Sequence, residues 1–227
     1  MEISDFLTGT RVLEVAESPI NGKIEVIQSL VFGKHIRVEV LTQSGGVIID
    51  VWKKTLKKVK SQKSKVKRCL ILGLGGGSAA KLVKKIWPEA IITAVELDPK
   101  MVELGRKYLR LNEIELNVEI ADAFEFCKIQ AQRGQKFDLI LTDVYVGYEV
   151  PKKLESENYI QLVGRLLSES RDSSSRGLAR DGIAVFNRLY SKERRPQANE
   201  FGKKLGKIFS KVTAVYPEAN IMFLCSA

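Results

Sequence analysis

The stretch Cys69-Leu70-Ile71-Leu72-Gly73-Leu74-Gly75-Gly76-Gly77-Ser78 constrains the fold of this chain more than any other. A short apolar run enters a cluster of glycines and continues into Ala79 to Trp87, which reads as a helix. Glycine lets a backbone turn sharply between strand and helix and bring its N–H groups against a ligand. A second apolar run, Ala90 to Val95, ends on Glu96. That acid lies about twenty residues past the turn, where a carboxylate accepts hydrogen bonds from a ribose diol. Turn, spacing and acid together predict a nucleoside-binding half-site.

Downstream, strands and helices alternate. Asp98-Pro99 supplies an N-cap and a first helical residue for a helix to about Arg110. Asn117 to Ile120 reads as the third strand, followed by Asp122 and a helix to about Gln132. The fourth strand, Phe137 to Thr142, ends on Asp143. A helix over Glu157 to Ser168 precedes a fifth strand, Gly182 to Asn187, and a helix over Pro196 to Phe209 follows it. Lys211 to Tyr216 and Asn220 to Cys225 are joined by Pro217-Glu218-Ala219 alone, too short for a crossover, so they must run antiparallel. Five parallel strands closed by an antiparallel hairpin describe an α/β chain, the methyltransferase variant of the Rossmann-like sheet. A plain dinucleotide-binding sheet would not end that way, and no length remains for a dehydrogenase's substrate domain. The polar stretch Ser168 to Arg180 reads as a mobile loop away from the ligand.

Residues 10 to 52 read as a small β meander of two hairpins. Thr10 to Val15, Lys23 to Ile27 and Ile36 to Leu41 are strands, and Val47 to Trp52 returns after a turn at Ser44-Gly45-Gly46. The expected division is 1–60, a small β-hairpin domain with a basic linker, and 61–227, the Rossmann-like nucleoside-binding domain. The net charge of +10 is concentrated in Lys53 to Arg68, nine Lys or Arg in sixteen residues with no acid. Such a run is a solvated linker or a surface for nucleic acid, but no aromatic residues are interleaved to stack on bases. Cys69, Cys127 and Cys225 sit in apolar settings without metal-ligand spacing, so buried thiols and no metal are expected. With no run of membrane-spanning length and no signal-like start, the expectation is a cytoplasmic protein.

In an open α/β sheet, ligands bind beyond the carboxyl ends of the strands. Glu96, Asp122 and Asp143 stand there. Glu96 suits the ribose hydroxyls, Asp122 before Ala123 suits an adenine amino group, and Asp143 falls near the switch point. Each would alternatively be the N-cap of the next helix. Ser78 is a cap or a ligand contact. His35, in an expected turn Gly33-Lys34-His35, and Trp52 and Trp87 read as structural residues. Lys192, Glu193, Arg194 and Arg195 border the cleft as a solvated helix start or a site for an anionic acceptor.

The runs Leu72-Gly73-Leu74-Gly75-Gly76-Gly77, Val95-Glu96-Leu97-Asp98-Pro99, Asp122-Ala123-Phe124-Glu125-Phe126 and Phe137-Asp138-Leu139-Ile140-Leu141-Thr142-Asp143 resemble the spermidine synthase (polyamine aminopropyltransferase) superfamily, in its spermidine-synthase-like branch. The likeness covers about residues 68–227, with a fainter echo at Ser18-Pro19 and Ile24-Glu25-Val26. It implies S-adenosylmethionine or its decarboxylated form as cofactor, held by Gly73, Gly75, Gly76, Gly77, Glu96, Leu97, Asp122, Ala123 and Asp143. It further implies a methyl or aminopropyl group transferred to a small-molecule acceptor such as an amine. Asp143 would be the base, with Tyr145 and Tyr148 walling the acceptor, and the protein would be a homodimer. Departures from the family pattern are specific. Gly76 stands where aminopropyltransferases carry an aspartate, Val146 replaces a second aspartate, and Ile20-Asn21 replace a tyrosine and a glutamine. A His-Glu pair has no counterpart around Asp50. Polyamines need acids to bind them, so spermidine synthesis itself is not expected. The alternative is a nucleoside-binding scaffold without turnover.

Overall fold

The computed structural model describes residues 9–169 and 182–226. A four-stranded antiparallel sheet is built from β1 (Thr10–Ser18), β2 (Gly22–Ser29), β3 (Gly33–Val38) and β4 (Leu41–Gly45). A seven-stranded sheet follows in the order β10-β11-β9-β8-β5-β6-β7. Its strands are β5 (Arg68–Leu72), β6 (Ile91–Glu96), β7 (Asn117–Ile120), β8 (Leu139–Thr142), β9 (Ile183–Leu189), β10 (Lys211–Val215) and β11 (Asn220–Ser226). β5 through β9 run parallel to one another, and β11 lies antiparallel between β9 and β10. The five parallel strands and the closing hairpin are as the sequence predicts.

The central strands are buried on both faces, which is why they read as unbroken apolar runs. Helices α1 (Val47–Gln62) and α2 (Ser78–Ile86) pack on one face. On the other lie α4 (Ala123–Gln132), α5 (Glu157–Arg165) and α6 (Arg195–Ile208). Helix α3 (Pro99–Tyr108) contributes Met101 and Leu104 to a third apolar cluster with Ile24, Val26, Ile36 and Val38 of the small sheet. All three cysteines are buried free thiols. Among the described residues no helix is long and apolar enough to cross a membrane. The stretch expected to be a mobile loop, Ser168 to Arg180, lies for residues 170–180 outside the described residues.

Two expectations for the first sixty residues are overturned. The third hairpin turn falls at Glu39-Val40, with Glu39 at φ 50°, so the strand after it is Leu41–Gly45. The expected return strand, Val47 to Trp52, is instead the start of α1, and the lysine run is mostly its exposed side. Val51, Trp52, Thr55, Leu56 and Val59 are buried, alternately one and three residues apart, and form one stripe whose apolar members share a core cluster with Cys69 and Ile71 of β5. Burying Trp52, Leu56 and Val59 contributes about 1.5–3 kcal/mol each, more than the weak strand preference of Val47-Ile48-Ile49. A boundary at residue 60 therefore falls inside a helix whose buried stripe belongs to the larger sheet. His35, expected in a turn, is a buried residue of β3 whose Nδ1 lies 3.2 Å from the Gly33 carbonyl.

Candidate active site

The sheet order reverses between β5 and β8, where a crevice opens beyond the strand ends. Gly73 leaves β5 with φ +85°, and a Cβ on it would lie 2.1 Å from the Asp143 carbonyl oxygen. The Asp143 amide donates to Leu72 O at 2.7 Å, so the two strand ends are locked side by side. That contact, rather than flexibility, requires the glycine.

The glycine N–H groups do not face a ligand as the sequence suggests. Gly73 and Leu74 donate to Val95 O, Gly75 to Glu96 Oε2 at 2.6 Å, Gly76 to Ser44 Oγ at 2.7 Å and Gly77 to Leu74 O. In return the Ser78 hydroxyl accepts from the Gly45 amide at 2.7 Å. A loop whose amides are already engaged makes a poor cradle for a pyrophosphate and a good wall for an uncharged nucleoside.

The cavity beyond the strand ends is lined by Gly73, Gly75, Glu96, Leu97, Asp122, Ala123, Asp143 and Tyr145, which the sequence singles out. Gly76 and Gly77 are not among its lining. A Cβ on Gly76 would meet Leu109, Ile36 and Ser44, and one on Gly77 would meet Leu111, so both pack against neighbouring elements. The small sheet adds Asn21, Gln43 and Ser44, and α1 adds Ile48 and Trp52. No Lys or Arg lines the cavity among the described residues, whereas three acids do. The site suits a cation.

Glu96 is buried at the end of β6. Its Oε1 accepts from the amides of Leu97 and Asp98 at 2.8 and 3.0 Å, and its Oε2 from Gly75. Burial raises its pKa against the lowering effect of these three amides. Three of about four acceptor sites are thus taken, and Oε2 keeps room for one hydroxyl. Asp122 caps α4: Oδ1 accepts from Phe124 and Glu125, and Oδ2 pairs with Lys153 at 2.7 Å. Burial works to raise its pKa, but Lys153 and the two amides outweigh it and hold the carboxyl low.

Asp143 accepts from Asn187 Nδ2 at 2.7 Å on Oδ1 and from Trp52 Nε1 at 3.1 Å on Oδ2. Asn187 is itself held by Asn220, whose Nδ2 donates to Asn187 Oδ1 at 2.8 Å. Both donors to the carboxylate are neutral. Burial pushes the Asp143 pKa up, while Asn187, Trp52 and the charge of Arg188 pull against it. A carboxyl raised in this way, open to a cavity, is a candidate proton acceptor. The Tyr145 hydroxyl accepts from the Leu189 amide at 2.9 Å, which fixes the ring between Asp143 and β9, and burial pushes its phenol up. Tyr148 is exposed and carries the Arg194 guanidinium over its ring, outside this cavity.

Sequence reasoning missed Trp52 as a partner of Asp143, and it gave Asn187, Asn220, Gln43 and Ser44 no part in the site. These contacts join residues 30 or more apart, so no local pattern announces them. A strand that closes on Asn187 beside one that closes on Asp143 was the one available hint. Gln43 Nε2 donates to Gly147 O at 2.6 Å, and the Gly147 amide donates to Asn21 Oδ1 at 3.1 Å. The small sheet thereby clasps the loop after β8 from both sides.

A family model described as the spermine/spermidine synthase domain matches residues 53–219. Polyamine aminopropyltransferase of Vibrio vulnificus is 30% identical over 145 residues, 61% of this chain and 45% of that protein. The human eEF1A lysine and N-terminal methyltransferase is 28% identical over 151 residues, 58% of this chain and 22% of that protein. The chain thus spans less than half the length of these two relatives. Among solved structures, spermidine synthase in complex with the transition state analogue AdoDATO has a TM-score of 0.76 at 17% identity, covering 95% of this chain and 73% of that one. Human methyltransferase-like protein 13 in complex with SAH has a TM-score of 0.59 at 20% identity, covering 79% and 81%. Both likenesses show the fold.

Proposed function

The chain belongs to the spermine/spermidine synthase family, and we propose that it binds S-adenosylmethionine or its decarboxylated form and transfers a methyl or aminopropyl group from the sulfonium to an acceptor amine. The observation that carries this reading is the meeting of Glu96, Asp122 and Asp143, from three strand ends, around one cavity free of basic side chains. A sulfonium nucleoside is a cation without phosphate, the class of ligand that such a lining and a glycine loop with engaged amides accommodate.

Glu96 Oε2 would take one ribose hydroxyl, and Asp122 with Ala123 would face the adenine. The acceptor nitrogen would attack the carbon on sulfur. A C–N bond forms, the C–S bond breaks with its electron pair going to sulfur, and the nitrogen's proton passes to Asp143. Because the sulfonium is already a strong electrophile, positioning of the amine supplies most of the acceleration. Asn187 and Trp52 hold both oxygens of Asp143, so the base is oriented before the acceptor arrives. Val146, in place of a second acid, lines the cavity without charge, which weighs against a polyamine acceptor.

Titration calorimetry against S-adenosylmethionine, its decarboxylated form and 5′-methylthioadenosine tests the reading. Preference for the intact cofactor favours methyl transfer, and preference for the decarboxylated form favours aminopropyl transfer. Binding of none of the three refutes it.

A further inference from the structure

One buried cation close to this cavity has no part in the reaction above. Arg188 follows Asn187 on β9, so its side chain leaves the opposite face of the sheet. It is 4% exposed, and its guanidinium lies 3.7 Å from the centroid of the Phe201 ring. Arginine has five N–H donors in a rigid fork. Here Nη1 donates to Asn187 O at 2.6 Å and Nη2 reaches Leu154 O at 3.5 Å. Nε is buried with no hydrogen-bond partner among the described residues. Glu155 Oε1 stands 3.5 Å from Nε, close enough for charge but not aligned for a bond.

A buried guanidinium with unmade hydrogen bonds is costly unless something completes it. Arg188 lines a second cleft, beyond the ends of β8 and β9, with Tyr148, Lys152, Glu155 and Arg194. Tyr145, two residues past Asp143, lines this cleft and the cofactor cavity alike, so the two adjoin there. Arg194 is engaged by both oxygens of Glu149, at 2.6 and 2.9 Å. Lys152 at the rim has no ion pair among the described residues. Glu155 is about a third exposed on the turn Lys152–Glu155, and it stands where an incoming carboxylate would lie.

We propose that this second cleft receives a carboxylate of the acceptor, paired side-on with Nε and Nη2 of Arg188, so that the acceptor is an amine bearing an acid and not a di- or polyamine. The inference rests on the transferase reading. A second cation brought beside Arg188 would be repelled, whereas a planar carboxylate matches the fork. Glu155 would swing toward solvent as the ligand arrives.

Two probes of equal length, 4-aminobutyrate and putrescine, differ in having a carboxylate or an amine at the far end. Their affinities for the protein saturated with S-adenosylhomocysteine would be measured by calorimetry. Aminobutyrate should bind about tenfold or more tightly than putrescine. Arg188→Met should abolish that preference, and Glu155→Gln, a change on an exposed turn, should tighten aminobutyrate several-fold. Equal affinities, a preference for putrescine, binding of neither probe, or a preference that survives Arg188→Met would overturn the inference. Saturation with the cofactor product is checked first in the same sample. Binding of neither S-adenosylhomocysteine nor 5′-methylthioadenosine, the product of the decarboxylated form, would overturn the cofactor reading and this inference together, whereas saturation with either without the acid preference sinks this inference alone.

Discussion

Gly73→Ala probes the contact that aligns the two strand ends at the site, and Gly134→Ala is its matched control. Both glycines have positive φ, +85° and +64°, so both variants put alanine into left-handed backbone at a cost of about 1–2 kcal/mol. They differ in space. A Cβ at 134, just past the end of α4, meets nothing within 4 Å, whereas one at 73 lies 2.1 Å from the Asp143 carbonyl oxygen. Real Cβ contacts essentially never fall below 3.0 Å, so β5 and β8 must part by about 0.9 Å. The Asp143 amide, bound to Leu72 O at 2.7 Å, resists that movement. Overpacking of this kind costs about 1–3 kcal/mol more, occasionally beyond. Gly73→Ala should therefore lose about 2–5 kcal/mol of a stability on the order of 5–15 kcal/mol. In urea, with a slope of about 2 kcal/mol/M, its midpoint should fall about 0.5–1.5 M below that of Gly134→Ala. Ligand affinity should drop in Gly73→Ala alone, because the Asp143 backbone is what moves. Equal losses from the two variants would refute the steric argument and leave only the cost of the backbone angle.

Glu96→Gln puts an amide N–H₂ against at least one of three backbone donors, so it should cost about 1–3 kcal/mol of stability and roughly tenfold or more in cofactor affinity. Unchanged affinity by calorimetry would remove Glu96 from the ribose. Asp143 has a folded pKa raised above its unfolded value near 3.9, so the folded state binds more protons in the window between the two. Its contribution to stability therefore falls as pH rises through that window, and Asp143→Asn should flatten the slope. Urea melts from pH 4 to 8 that give parallel curves for both proteins would contradict the assignment. Trp52→Phe removes the donor to Asp143 Oδ2, should raise the carboxyl pKa further, and should move the rising limb of the pH–rate profile to higher pH at about 1–2 kcal/mol of stability. Gln43→Ala should free the loop around Gly147 for about 1 kcal/mol, seen as faster proteolysis after β8 with the melting curve little changed.

The larger sheet is legible because its signals are local. An apolar run, a glycine turn, an acid at the next strand end and the Pro217-Glu218-Ala219 connection each act over a few residues. Helix α1 was not legible for the opposite reason. Val47-Ile48-Ile49 carries strand preference, and the stripe of Trp52, Leu56 and Val59 that overrides it is threaded through lysines that read as a linker. Of the site, the acids and the first glycine could be placed from spacing alone. The roles of Gly76 and Gly77 could not, because what they face is decided by Ser44, Ile36, Leu109 and Leu111. Arg188 carries no local signal either, inside a strand where every other residue but Asn187 is apolar.

The cavity is not the property of the seven-stranded sheet alone. Three pairs of hydrogen bonds tie the small sheet to the three segments that frame it. Ser44 holds the Gly76 amide while Ser78 holds that of Gly45, which fixes the glycine turn. Ser18 Oγ and Asn21 Nδ2 both donate to Asp98 Oδ2, at 2.6 and 2.7 Å, which fixes the chain where β6 passes into α3. Gln43 and Asn21 grip Gly147, which fixes the loop that carries Tyr145. Asp98 is wholly buried, so removing the small sheet would uncover it and take away both side-chain donors to Oδ2. Each tie reaches a residue next in sequence to one that lines the cavity: Gly76 beside Gly75, Asp98 beside Leu97 and Gly147 beside Val146. Ligand affinity is therefore coupled to docking of the small sheet: a cofactor that fills the cavity should stabilise both sheets together, and Ser18→Ala, outside the cavity lining, should weaken binding without touching the ligand.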